Sequence, residues 1–254
     1  MIGLGKREIA QPSFLSAARQ VHSTRATVSS RVLWPFVASL RRVCVNAQPA
    51  LAHVQMSEGE LRDPDVRVSY ANAFSLIEKL VAYSGRSDLG LLAAHEVQQG
   101  YFDLLEIALR CAPTVGDAIE HLISFFVLLD DGAEMTLTRG PVLSEMRYVV
   151  NCDLSVHPAY VEFLPAMLLI AARRETNVAT LGGECIYFQH ANAASVDLYQ
   201  ELFRSSVYFN AAENVAIFRS EILTLPFCRA NALMEKEAIA AINESITEIE
   251  DWTR

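Results

Sequence analysis

No run of about twenty apolar residues occurs in this sequence, the length a membrane-crossing helix requires. The longest candidate, Ala159 to Ala172, is shorter and is interrupted by Glu162 and Pro165. Positive charge is also in short supply: 21 lysines and arginines against 30 aspartates and glutamates leave a net charge of -9. Phosphate backbones are held by basic surfaces, so this balance argues against nucleic acid as a direct partner of the segment. The five cysteines, Cys44, Cys111, Cys152, Cys185 and Cys228, are odd in number, scattered and never spaced CxxC. That excludes a disulfide framework and a zinc site. Most have apolar neighbours, which predicts reduced core cysteines in a reducing compartment.

Catalytic signatures are missing too. The chain has no GxSxG nucleophile elbow, no HExxH and no GxxxxGK[ST] phosphate loop. Its 6 histidines are dispersed, with no pair at metal-binding spacing on one helix. No metal, cofactor or catalytic residue is expected, and the chain reads as a non-enzyme.

What is present is a globular composition, 52% hydrophobic and 20% charged over 254 residues, enough for one large domain or two small ones. Residues 1–27 carry Lys6, Arg7, Arg19 and Arg25 against Glu8. They resemble a transit peptide in composition, but a disordered leader is the preferred reading. Leu33, Phe36, Val37, Leu40 and Cys44 mark a helix face after Val28. Ser57 and Glu60 have capping-box spacing, Ser69 caps the next helix, and Gly85 ends it. Helices follow over Asp88 to Glu96 and Tyr101 to Cys111, then from Thr114 onward.

The period then changes. Glu134 to Arg139 and Val142 to Asn151 alternate around Gly140-Pro141, a β-hairpin pattern. A helix over Pro158 to Arg174, kinked at Pro165, precedes a strand at Cys185 to Gln189 and a helix capped by Asn192. Strands at Val207 to Phe209 and Val215 to Phe218 read as a second hairpin. This irregular order predicts an α+β fold: a helical N-terminal half, then a small, mostly antiparallel sheet with flanking helices. Residues 28–230 form the expected domain, followed by a long helix over 231–254.

Aromatic and soft apolar residues gather on the hairpin, the proline-bearing helix and the following strand. Concave ligand sites are mostly apolar with a few placed polar groups. The candidate binding residues are therefore Arg147, Tyr148, Glu162, Phe163, Met167 and Tyr187. Glu162 sits within an apolar stretch and needs a partner if buried, with Arg147 a candidate. In the last helix Ile239, Ile242, Ile246 and Ile249 recur at three, four and three, the spacing of a pairing seam. They could equally pack on their own domain. The helix ends in acids rather than the cations that complement its dipole, as though it once continued.

Several stretches carry a family resemblance: Leu61 to Val68, Leu89-Gly90-Leu91, Cys111 to Ala118, Ile186 to His190, the span from Val207 to Phe218, and Leu223 to Pro226. Together they resemble the arabinose-binding-like N-terminal domain of AraC-type transcriptional regulators. The resemblance implies a bacterial, cytoplasmic sensor that binds a small-molecule effector and forms a homodimer, with no membrane association. It also implies that DNA is reached only through a C-terminal pair of helix-turn-helix motifs, which residues 231–254 do not supply. Two rival readings stay open: an interaction protein that pairs with full-length regulators, and a carrier of small molecules or lipids.

Overall fold

The computed structural model describes residues 26–192 and 194–252. Nearly all of the leader expected over residues 1–27 lies outside them. The described chain is α+β, with the helices concentrated in the first half. That half opens with a short ribbon, β1 (Thr27–Ser29) paired antiparallel with β2 (Arg67–Ser69). Each strand runs straight into a helix, and its last residue is the cap. The Ser29 hydroxyl accepts from Arg31 N at the start of α1 (Ser30–Arg42), and Ser69 accepts from Asn72 N at the start of α4 (Tyr70–Ser84). A serine oxygen in these positions satisfies an amide that the first turn leaves unpaired.

Between them lie α2 (Gln48–His53) and α3 (Glu58–Arg62), the latter opened by the reciprocal Ser57–Glu60 capping box. Gly85 ends α4 in the left-handed conformation at φ 65°. α5 (Leu89–Glu96), α6 (Asp103–Cys111) and α7 (Val115–Phe125) complete the helical half. Thr114 caps α7 by accepting from Asp117 N at 3.2 Å.

The second half supplies β3 (Ala133–Thr138), β4 (Leu143–Val150), α8 (Pro158–Thr176), β5 (Cys185–Tyr187), α9 (Val196–Phe203), β6 (Ser206–Tyr208) and β7 (Asn214–Arg219). α8 stays helical through Pro165. The five strands form one sheet in the order β3-β4-β7-β5-β6. The expected second hairpin is corrected here: β6 and β7 are not neighbours. β5 lies between them, antiparallel to β7 and parallel to β6. Glycines make this insertion feasible. A Cβ on Gly182 would fall 2.8 Å from Arg204 O, and one on Gly183 would fall 3.2 Å from Ile217 O. Asn214 then fastens the end of β5, its Oδ1 accepting from Gln189 N and its Nδ2 donating to Gln189 Oε1. A second correction concerns α9, whose N-cap position is Ser195 rather than Asn192.

One contact fixes how the halves meet. α5 packs against α8, and a Cβ on Gly90 would lie 2.2 Å from the Ala159 carbonyl oxygen. No side chain fits there, so glycine sets the separation of the two helices. Asp130 sits in the core beneath this contact and accepts from Tyr160 Oη at 2.6 Å and from Tyr70 Oη.

The last helix, α10 (Ala232–Trp252), is capped by Asn231, whose Oδ1 accepts from Leu233 N and Met234 N. It lies along α6, and His121 Nε2 meets Glu235 Oε1 at 2.7 Å from the adjoining α7. Ala238 and Ile242 are buried, with Ile239 and Ile246 packed beside them. The cysteines are all free, but only Cys111 is buried, while Cys44 and Cys228 are exposed. The core reading holds for one of them. Apolar chain neighbours say little about burial where, as at Cys44, the backbone turns outward at φ 56°.

Candidate functional site

A cavity of about 190 Å³ opens between α8 and the β4-β7-β5 part of the sheet, walled on the other side by α6 and α7. α8 contributes Pro165, Leu168, Leu169, Ala171 and Ala172 to its wall. Ala118, Ile119 and Leu122 come from α7, and Met146, Ile186, Ala216 and Phe218 from the sheet. Nearly the whole surface is carbon. α8 is apolar on both sides from Ala166 to Ala172, because one side packs on the core while the other faces this space. A helix without a polar stripe has no face for water.

Polarity is confined to one end, where Glu106 and Arg110 of α6 face Arg174 and Glu175 of α8. Arg110 lies 3.3 Å from Glu106 and 3.0 Å from Glu175, and Arg174 is 2.8 Å from Glu175. The two carboxylates are buried. Glu106 also accepts from Gly100 N at 2.8 Å and Phe102 N at 3.3 Å, which tethers the loop before α6. The four charges cancel. One donor in the group, Arg110 Nε, is buried without an aligned acceptor, although Glu175 Oε1 is close by.

Of the six candidate binding residues, Met167 lines this cavity. Tyr148 and Tyr187 border a separate hollow of about 20 Å³, and Phe163 borders another of that size with Tyr148 and Met167. Such a hollow has room for roughly one water. Phe163 packs on Phe36 at 5.0 Å, and Tyr187 stacks on Tyr208 at the same distance. Arg147 stands on the outer side of β4, paired with Glu145 and Glu213.

Glu162 is fully buried and its partner is not Arg147. Its Oε1 accepts from Tyr199 Oη at 2.6 Å and lies 3.4 Å from His190 Nε2. Oε2 has no hydrogen bond. Burial pushes the carboxyl up to about 7 against the pull of the Tyr199 hydrogen bond, and burial lowers His190. Phe188 and Phe209 close over the pair. Of the isoleucine stripe, Ile242 faces its own domain. The Ile249 side chain lies outside the described residues. Among the described residues no cluster of His, Cys, Asp and Glu could hold a metal ion, and no helix is long and apolar enough to cross a membrane.

The family model described as the arabinose-binding domain of AraC transcription regulator, N-terminal, matches residues 45–227. The chain belongs to this family. No curated protein matches it. Among solved structures it is similar to the crystal structure of the transcriptional regulator CdpR from Pseudomonas aeruginosa, with a TM-score of 0.56 at 18% identity. That similarity covers 80% of this chain and 64% of the CdpR chain, so the chain spans under two thirds of its structural relative's length.

In this AraC-type domain, sequence reasoning missed the polar end of the cavity, and two signals could have found it. Glu106 and Arg110 stand four apart among Leu105, Ala108 and Leu109, a charged pair inside an otherwise apolar helix stretch. The run Met167 to Ala172 is apolar over more than a full turn.

Proposed function

We propose that the cavity is the receptor site for a small-molecule effector and that α10 carries its occupancy to a DNA-binding module. The carrying observation is that α6 lines the cavity and also seats α10. Phe227, in the segment leading into α10, is itself part of the cavity wall. That segment is pinned to the same walls: Cys228 N donates to Glu175 O at 2.7 Å and Asn231 N to Cys111 O at 2.8 Å. A guest that shifts α6 or Phe227 must alter the seat of the helix. An effector then acts by favouring one of two arrangements of α10, which requires unequal affinity for them.

Membership of an AraC regulator family and the likeness to a transcriptional regulator support the output as transcription control. The proposed setting is the cytoplasm of a bacterium, as a homodimer. Because Ile242 is occupied within the domain, the proposed dimer contact falls on the outer side of α10, where Leu233 and Met234 are exposed. The role is binding rather than catalysis, since the ionisable groups at the cavity are engaged with one another.

The test is a thermal-denaturation screen of small molecules on the protein and on Ala172→Phe, which fills the cavity. A ligand at a hundred times its Kd adds about 2.7 kcal/mol, roughly 5–10 °C in Tm for a chain of this size. Loss of that shift in the variant supports the reading, and equal shifts in both proteins refute it. The apolar wall also suits a carrier. A carrier would leave amide exchange along α10 unchanged on ligand binding, whereas a receptor would not.

A further inference from the structure

We infer that the effector is a neutral, largely apolar molecule, and not a sugar. This deepens the receptor reading above and rests on it. A pentose brings four hydroxyls, each of which must find a partner once buried. The cavity offers polar atoms at one end only, and these are largely committed: Glu106 to Gly100 N, Phe102 N and Arg110, and Glu175 to Arg110 and Arg174. Each unmet hydroxyl costs roughly ten- to a hundred-fold in affinity.

Charge selects further. Two guanidinium groups and two carboxylates already balance, so an anionic or cationic guest would displace a partner and strand a buried charge. Arg110 Nε is itself buried and lies 3.0 Å from Glu175 Oε1, so the ion pairs at this end are closed among themselves. A guest with no more than a single ketone or ester group adds no charge and little polar surface to be matched. Size sets the rest: an engineered dry cavity of about 150 Å³ admits benzene, so about 190 Å³ takes on the order of eight non-hydrogen atoms.

The experiment is isothermal titration of the whole chain with methyl hexanoate, heptanoate and L-arabinose, probes of similar size that differ in charge and hydroxyl count. Methyl hexanoate is expected to bind at least tenfold more tightly than either of the others. Ala172→Phe should abolish that binding, with Ile119→Trp on α7 as a second blocking variant should the first not fold. Binding of L-arabinose that the blocking variants remove would overturn this inference and leave the receptor reading intact. So would heptanoate binding more tightly than the ester. Failure of all three probes also overturns the assigned class, whereas the receptor reading falls only if ligands from the thermal screen ignore the blocked cavity.

Discussion

Glu162→Gln should make the protein more stable at neutral and alkaline pH, and the gain should vanish in acid. The folded carboxyl is pushed up to about 7 from an ordinary 4.5, with burial the principal cause. Folding therefore favours the protonated form. The contribution is fully favourable below the unfolded value of 4.5, declines as pH rises, and is lost once pH passes about 7. A displacement of this size corresponds to about 3 kcal/mol between the two ends of the window. Glutamine keeps the shape and the acceptor oxygen for Tyr199 Oη, and its amide nitrogen takes the Oε2 position, which makes no hydrogen bond in the parent. At pH 8 the variant should gain about 3 kcal/mol, roughly 6–12 °C in Tm. At pH 4.5 it should match the parent. Other groups titrate nearby. Burial depresses His157 and His190, which removes stability as pH falls through the histidine range, the opposite sign. The quantity to measure is therefore the difference between variant and parent in urea melts from pH 4.5 to 8. A difference that is flat across that range, or largest in acid, refutes the account of Glu162 as a carboxyl held in an apolar core.

Two further outcomes test the packing. Gly90→Ala places a methyl group against the Ala159 carbonyl, where overpacking costs typically 1–3 kcal/mol, and calorimetry should show a Tm lowered by several degrees. A neutral result would mean α5 and α8 separate at no cost. Ile242→Ala should destabilise by about 2–4 kcal/mol, while the exposed Met234→Ala should stay within about 0.5 kcal/mol in denaturant melts. Equal effects at both positions would mean α10 does not rest on α6 in solution.

Much of the architecture could be read from local chemistry because its signals act over short range. The Ser57–Glu60 box, Ser69, Gly85, Thr114 and Asn231 each mark a helix end, since the amide or carbonyl they satisfy lies within four residues. The β3–β4 hairpin announced itself by alternation. The neighbours of β6 and β7 did not, because the insertion of β5 depends on close approaches at Gly182 and Gly183 to residues 20 or more positions away. The cavity proposed as the binding site was the least legible. Tyr148, Phe163 and Tyr187 have the composition of a ligand site and pack against Phe126, Phe36 and Tyr208 respectively. Glu162 was rightly singled out as a carboxylate in need of a partner, but its partner, Tyr199, comes from a helix 37 residues away. The cavity itself is bounded by leucine, alanine and isoleucine side chains, which look the same in sequence whether they meet another side chain or a void.

The double duty of α6 has a consequence for how this domain can change. Residues such as Leu109 and Arg110 cannot be exchanged to suit a new guest without also disturbing the bed of the final helix. The wall made by β7 is engaged with its neighbours in the sheet instead. Retuning of chemical taste in descendants of this chain should therefore collect at positions such as Ala216 and Ile217. The party wall at α6 should drift least, since altering it rewires the listener together with the ear.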